Sequence, residues 1–387
     1  MIATMHGSII AAIPMSESQF GLLTSTFLWV YGLVSPFAGF ISDRFSRRKV
    51  IIISMFMWSA ATWLTSYVTT YPQLITMRVV MGLSEACYIP AGLALISDYH
   101  HGQGRSLSRA IGLHQTGMVA GAILAGAAGW LAEMHTWDYA FRIVGMLGVA
   151  YCVPLLFLLR DAPKEQTTGS MVNSPLPAKL RFSDAISDLS RNGSFWGLLG
   201  CVAISAGATW ILGGWLPTYM MEHFNLRQGV AGLSALGYMN AAAAIGLVFG
   251  GYWSDRWSRR DARARAYVPA LGFTVAIPAL MVVVTTQQLS VAIIFLIIFG
   301  VTEAFFSSNQ MPILCHMADA RYRATGYGII NMVGCVTAGV TVYLAGALRD
   351  ANYSLRDIFF AAACSQVLCI VILLKMRFRA RSTIADL

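Results

Sequence analysis

Long apolar runs are the feature that most limits what this chain can fold into. Each is about twenty residues or longer, and we count eleven, at roughly 19–41, 50–70, 72–97, 107–131, 139–159, 195–220, 230–253, 266–286, 289–312, 325–348 and 355–376. A helix needs about 20 apolar residues to cross a hydrocarbon core of about 30 Å. Membrane strands would instead show short alternating segments. The runs therefore predict an all-α polytopic membrane protein.

The composition agrees with this prediction and excludes several classes. Hydrophobic residues make up 57% of the 387 residues and charged residues 12%, against about 25% charged in soluble domains. The net charge of +9 is spread over many loops without surface aromatic residues, so we expect no nucleic-acid partner. The seven cysteines lack metal-ligand spacing and no P-loop motif occurs. We therefore expect no metal, no cofactor and no enzyme activity.

The first 14 residues, MIATMHGSIIAAIP, are apolar but too short to cross the membrane alone. They lack the basic start and cleavage site of a secretory signal. We interpret them as the C-terminal part of a truncated first transmembrane helix that begins upstream of Met1, which would raise the helix count to twelve.

Basic residues predict the orientation. Of the 27 Lys and Arg, 22 fall on one side of the predicted spans, four lie in the opposite loops, and Arg78 lies within a span. The positive-inside rule then places both termini and the loop around residue 170 in the cytoplasm. We expect the protein to lie in the inner (plasma) membrane of the cell.

The two halves of the chain repeat. GFISDRFSRR at 39–48 returns as GYWSDRWSRR at 251–260, and GLSEA at 82–86 returns as GVTEA at 300–304. Three matches in the same order, the third being RAIG at 109–112 with RATG at 323–326, indicate a duplicated six-helix unit. We predict an N-terminal lobe at 1–159, a proline-containing cytoplasmic linker at 160–192 and a C-terminal lobe at 193–387.

The repeated motif and the six-plus-six layout resemble the major facilitator superfamily. Within it, R-x6-E-A-x3-P from Arg78 to Pro90, SDY at 97–99 and WLPTY at 215–219 resemble the anion:cation symporter family and the spinster-like transporters. The resemblance implies a monomeric secondary transporter that moves a small organic anion, such as a sugar acid or another carboxylate, by alternating access with proton coupling. Two alternatives stay open: a spinster-like exporter of lysolipid or another amphiphile, and a transport-dead receptor or nonfunctional truncated product.

Charged residues inside predicted spans are the strongest site candidates. Arg78 and Glu85 lie seven residues apart, on one face of a helix and about 10.5 Å from each other. Each would cost about 2.5 to 3.5 kcal/mol at the bilayer centre, so each needs a reason to be there. One interpretation is structural: an ion pair with neighbouring helices, or an arginine whose side chain extends to the membrane interface. The other, implied by the resemblance, is an anion-binding or switch arginine with a protonatable carboxylate that couples substrate to protons.

Other polar residues are weaker candidates. Glu303 repeats Glu85 and is either a second proton site or a group bonded to Asn309 or to a facing helix. His114 and Gln115 are either functional or interhelical hydrogen-bonding groups. Further residues line a cavity or serve as packing and interface anchors: Tyr31, Trp210, Tyr219, Asn240, Asn309, Gln310 and Asn331.

The repeated motif carries both a topology signal and a predicted gate. Its residues are Gly39, Asp43, Arg44, Arg47 and Arg48, and in the second copy Gly251, Asp255, Arg256, Arg259 and Arg260. The bases hold the loops in the cytoplasm. By resemblance, Asp43 would meet the start of the eleventh helix near Ala324 and latch the lobes in the outward-open state.

Small residues four apart predict close helix contacts. Two series occur: Gly117, Gly121, Ala125 and Gly129, and the shorter Gly246 and Gly250. They indicate tight helix packing. In transporters of this type they would also give smooth lobe surfaces that permit rocking.

Overall fold

The computed structural model describes residues 1–99, 104–162, 187–317 and 323–376, and within them the side chains at 36, 39–44, 104–109, 111–112, 115 and 323–324 are outside the description. We number the short first helix and the helices of the predicted spans in chain order. They are α1 (Ile2–Ala12), α2 (Glu17–Arg44), α3 (Arg47–Thr65), α4 (Tyr71–Tyr99), α5 (Gly104–Gly126, continued by Ala128–Met134), α6 (Trp137–Leu158), α7 (Gly193–Phe224), α8 (Gln228–Ser258), α9 (Ala264–Thr285), α10 (Leu289–Met317), α11 (Arg323–Asp350) and α12 (Leu355–Lys375). In the described ranges the chain forms helices and no strand.

The eleven predicted spans correspond to α2 to α12. Nine helices in the described residues are long and apolar enough to cross a membrane. The other two, α2 and α3, have 28 and 19 residues. They carry the basic residues of the repeated motif where α2 ends and α3 begins. The first 14 residues form a short apolar helix, Ile2–Ala12.

A break in α4 positions one of the predicted site residues. The helix runs as Tyr71–Glu85 and resumes as Tyr88–Tyr99. Pro90 lies in the first turn of the second piece, where its missing N–H removes no helical hydrogen bond. Glu85 is consequently the last residue of the first piece, beside an interruption of the helix.

The two lobes, α1–α6 and α7–α12, pack along α2 and α11 as far as Ser35 and Asn331, and α5 and α8 also join them at the end of the molecule where α2 begins and α11 ends. We call this the closed end, and the opposite end, which carries the basic α2–α3 and α8–α9 connections, the basic end. A side chain at Gly129 of α5 would come within 2.8 Å of the backbone oxygen of Gln228 on α8. At Gly117 and Gly121, nearer the basic end of the same helix, an added Cβ atom would meet no atom of the described residues within 4 Å. The lobes thus touch at the closed end of α5 and separate along it.

The second glycine series serves a different contact. A Cβ atom at Gly250 would lie 2.6 Å from Cδ1 of Phe305, and Gly246 faces Val301. Both neighbours are on α10 of the same lobe. Close packing within the lobe therefore explains these two glycines, and the expectation that they form a sliding surface between lobes is wrong.

Candidate functional site

Arg78 is buried in the N-terminal lobe without the hydrogen bonds that a guanidinium needs. Its residue exposure is 7%, and its Nε and Nη2 atoms are buried with no partner among the described residues. Its guanidinium carbon lies 5.8 Å from the ring centroid of Phe141 on α6, at cation–π distance. An unpaired buried donor is costly, so the N–H groups on these two nitrogens favour an acceptor such as a carboxylate.

Glu85 is half-buried at the end of the first piece of α4. Arg78 and Glu85 interact electrostatically, but the two described side chains form no ion pair within 4.0 Å. Tyr31 of α2 interacts electrostatically with Glu85 and also with Tyr327 and Cys335 of α11. Tyr31 thus stands between the carboxyl group of the N-terminal lobe and the opposite lobe.

A cavity of about 140 Å³ lies against that opposite lobe. Its wall is formed by α7, α10 and α11, through Val202, Ala206, Trp210, Gln310, Tyr327, Ile330, Asn331, Gly334 and Cys335. Three of the predicted cavity residues, Trp210, Gln310 and Asn331, are in this wall. Asn331 also reaches α2, where its Nδ2 atom lies 3.3 Å from Oγ of Ser35. Ring surfaces, amides and a phenol hydroxyl are groups that bind a small polar molecule.

Glu303 lies in the interior of the C-terminal lobe and is bonded to facing helices. Its Oε1 accepts hydrogen bonds from Ser205 Oγ at 2.6 Å and Thr209 Oγ1 at 3.2 Å, both on α7. Its Oε2 accepts one from Gln366 Nε2 on α12 at 3.1 Å. Asn309 is not its partner, because that amide donates to Phe305 O of its own helix.

His114 makes the interhelical contact that was one of its two interpretations. Its Nε2 atom lies 3.3 Å from Oη of Tyr88 on α4, and the two rings stack with centroids 5.8 Å apart. Its Nδ1 atom is buried with no partner among the described residues. The Gln115 side chain is outside the description.

Two other predicted cavity residues are bonded elsewhere. Tyr219 is 3% exposed and donates to Val284 O on α9 at 3.1 Å, so its polar atom is engaged inside the lobe, away from the cavity wall. Asn240 donates to Leu236 O of its own helix at 2.7 Å. Neither residue is among those that line the cavity.

The first copy of the repeated motif contacts its own lobe and the start of the linker that follows α6. Arg47 pairs with Asp98 at the end of α4, and the backbone nitrogen of Arg48 donates to Asp161 Oδ1 at 2.9 Å. A guanidinium nitrogen of Arg48 also donates to Leu156 O. The predicted latch from Asp43 to the region of Ala324 lies outside the described side chains, as do Gly39 and Arg44.

The second copy pairs Asp255 with Arg265, whose Nη2 lies 2.9 Å from Oδ1. Gly251 packs at ordinary distance against Ser308 of α10, and Arg256, Arg259 and Arg260 are exposed at the basic end. This copy therefore ties the α8–α9 connection together and presents positive charge there.

Sequence reasoning missed several residues that the structure brings together. Tyr327 and Cys335 lie four residues before and after Asn331, on the same helical face, so their spacing was a usable signal. Ser205 and Thr209 are also four apart on α7, but nothing in the sequence connects them to Glu303. Among the described residues, no group of three His, Cys, Asp or Glu side chains could hold a metal ion.

The profile of the Major Facilitator Superfamily matches residues 1–342. The chain belongs to this superfamily, and it is an integral, multi-pass membrane transporter. The family prediction and the all-helical, two-lobe fold prediction are confirmed.

Named relatives refine this picture. The chain is 26% identical to a probable L-galactonate transporter of Escherichia coli strain K12, over 90% of this chain and 79% of that protein. It is 25% identical to the probable galactarate/D-glucarate transporter GarP of the same strain, over 92% of this chain and 85% of that protein. Among solved structures, it matches a bacterial homologue of the human lysosomal transporter Spinster in an inward-facing, unoccupied conformation. That match has a TM-score of 0.78 and 20% identity, and covers 96% of this chain and 90% of that one, so it shows the shared fold.

Proposed function

We propose that this protein is a secondary active transporter that moves a small organic anion, a sugar acid or a related carboxylate, by alternating access coupled to protons. The observation that carries the proposal is Arg78, whose buried Nε and Nη2 atoms have no hydrogen-bond partner in the part of the chain that the structure describes. A guanidinium binds a carboxylate through paired N–H donors. The names of the sugar-acid transporters among its relatives support this substrate class.

The proposed site spans the lobe interface. Arg78 would hold the carboxylate of the substrate, while Gln310 and Asn331 of the cavity wall would bond its hydroxyl groups. Glu85 would carry the coupled proton, because it interacts with both Arg78 and Tyr31. Because the lobes are in contact at the closed end, substrate would enter and leave the site from the solvent at the basic end. We place the basic end on the cytoplasmic side of the inner membrane. We propose that the protein functions there as a monomer.

Uptake into proteoliposomes tests the proposal. We expect labelled galactonate or galactarate to accumulate when a pH gradient is imposed. Glu85→Gln should abolish this accumulation while leaving counterflow exchange detectable, because a neutral amide still permits the conformational cycle but carries no proton. Asp138→Asn is the control, since Asp138 pairs with Arg142 at the other end of the N-terminal lobe.

Two results would contradict the proposal. Accumulation that is unchanged by Glu85→Gln would remove Glu85 from proton coupling. Competition by lysolipids, with sugar acids inert, would favour the spinster-like exporter of an amphiphile instead.

A further inference from the structure

Among the described residues, the carboxyl group of Glu303 is held by three neutral donors and by no cation. Ser205 and Thr209 donate to Oε1 at 2.6 and 3.2 Å, and Gln366 donates to Oε2 at 3.1 Å. The residue is 6% exposed. A buried carboxylate normally requires an opposite charge or a proton, and three helices, α7, α10 and α12, converge here without supplying the charge.

The two hydroxyl groups are turned toward this carboxyl group. Several helical threonines of the described residues donate to the carbonyl four residues earlier, as Thr274 does to Ala270 and Thr337 does to Val333. Ser205 and Thr209 give up that local bond and donate to Glu303 instead. The cluster is therefore built around the carboxyl group.

The internal repeat shows what the site lacks. GLSEA and GVTEA align Glu85 with Glu303 at an offset of 218, and the same offset aligns Arg78 with position 296, which is the buried Leu296. Among the described residues, the thiol of Cys369 interacts electrostatically with Glu303, and the thiols of Cys369 and Cys201 donate to each other's backbone oxygens. No Lys, Arg, His or Asp side chain of the described residues pairs with it. A proton is thus the remaining way to balance its charge.

We propose that Glu303 is a proton-binding site in the C-terminal lobe and that the Gln366 amide turns when the proton binds. The Oε1 atom of Gln366 is buried with no hydrogen-bond partner among the described residues. With a proton on Oε2, Glu303 becomes a donor and needs an acceptor. Half a turn of the terminal amide replaces Nε2 with Oε1 at that position. The 2.6 Å contact from Ser205 Oγ to Oε1 is an ordinary hydrogen-bond length, and it can persist when the proton is on Oε2.

The site adjoins the cavity through a single helix. Ser205 and Thr209 precede Ala206 and Trp210, which line the cavity. Protonation of Glu303 therefore changes the hydrogen bonds of the same turns of α7 that form the cavity wall. A role for this change in transport depends on the proposed function, whereas proton binding itself does not.

Infrared difference spectroscopy on the purified full chain in lipid nanodiscs, without substrate, tests proton binding directly. On acidification we expect a carboxylic acid carbonyl band that is lost in Glu303→Gln and retained in Glu85→Gln, the matched variant at the repeat position. We also expect a side-chain amide band that disappears in Gln366→Leu. A Glu303→Gln spectrum identical to that of the unmodified protein would overturn the proposal.

A second variant covers the case in which Glu303→Gln does not fold. Ser205→Ala keeps the carboxyl group but removes its shortest hydrogen bond, so the carbonyl band should shift in frequency, and an unshifted band would count against the site. If the band behaves as expected but sugar acids are not transported, the proton site stands and the proposed function fails. If transport is proton-coupled and the band is absent, the proposed function stands and the proton site at Glu303 fails.

Discussion

The Oδ1 atom of Asp350, at the end of α11, lies 2.9 Å from the backbone nitrogen of Glu17, at the start of α2. Its Oδ2 atom lies 2.9 Å from the backbone nitrogen of Ser18. The first amides of a helix have no partner within the helix, and a carboxylate there is also favoured by the helix dipole. A helix of the N-terminal lobe is thus capped by a residue of the C-terminal lobe, and opening the closed end must break this cap.

Arg349 adds charge pairs beside the cap. Its Nη2 atom lies 2.7 Å from Glu222 Oε1 in its own lobe and 3.5 Å from Glu17 Oε1 across the interface. Glu17 also meets His6, whose Nε2 lies 2.8 Å from Oε2. Single exposed pairs contribute little, but here four groups converge beside the Asp350 cap, so the closed end is held by a polar network.

Asp350→Ala should loosen the start of α2. The variant removes two hydrogen bonds to backbone amides, a loss of about 1 kcal/mol, so we expect backbone amide exchange at the first turn of α2 to rise about fivefold. Hydrogen exchange with mass spectrometry measures this. Asp357→Ala is the control, because Asp357 bonds to Ser354 within the C-terminal lobe at the same end. Equal exchange in both variants would show that the cap does not hold the lobes.

Two glycines of α5 should respond oppositely to alanine. Gly129→Ala places a methyl group 2.8 Å from Gln228 O and 2.9 Å from Thr4 O, so one backbone must move, at a cost of about 1 to 3 kcal/mol. We expect a lower unfolding temperature and faster amide exchange at 228–232. Gly117→Ala meets nothing within 4 Å and should raise helix stability by up to about 1 kcal/mol. Equal effects of the two variants would contradict the lobe contact described for Gly129.

The membrane-scale architecture could be read from the sequence because its causes are local. Apolar runs of spanning length specify helices, and the repeated motif at 39–48 and 251–260 specifies two similar lobes. Site residues that follow a single helix face were also accessible: Asn331 was predicted, and Tyr327 and Cys335 share its face by spacing.

Contacts between distant helices could not be predicted in this way. Glu303 meets Thr209 across 94 positions and Gln366 across 63, and no pattern in the sequence records these pairings. Tyr219 was a candidate to line the cavity, yet its hydroxyl donates to Val284 O on a neighbouring helix. Side-chain direction depends on how helices rotate against one another, which packing of the whole lobe determines.

The start of α3 is capped by Ser46 and Asp161, and this cap should be sensitive to acid. Asp161 accepts hydrogen bonds from Ser46 Oγ at 2.5 Å and from the backbone nitrogen of Arg48 at 2.9 Å. Partial burial acts to raise the pKa of Asp161, but these bonds and the charges of Arg48 and Lys49 lower the pKa overall.

Because the pKa is lower in the folded protein, the stabilisation is fully present above the ordinary aspartate value of about 3.9 and is lost as the pH falls through the folded value. Asp161→Asn should therefore lower the unfolding temperature at neutral pH. The difference from the unmodified protein should shrink in strong acid. A difference that is independent of pH would mean that the carboxylate charge is not the stabilising feature.

The cavity wall makes a prediction about substrate affinity. Asn331→Ala removes an amide that lines the cavity and reaches Ser35, so the KM for sugar-acid uptake should rise. Loss of one hydrogen bond to an uncharged group costs about 0.5 to 1.5 kcal/mol, which corresponds to a rise of roughly two- to tenfold. Asn240→Ala is the matched control, because its amide bonds to Leu236 of its own helix and is not in the cavity wall. A fall in the maximal rate with KM unchanged would instead assign Asn331 to the contact between α11 and α2, since that contact affects how the lobes move and not how the substrate is held.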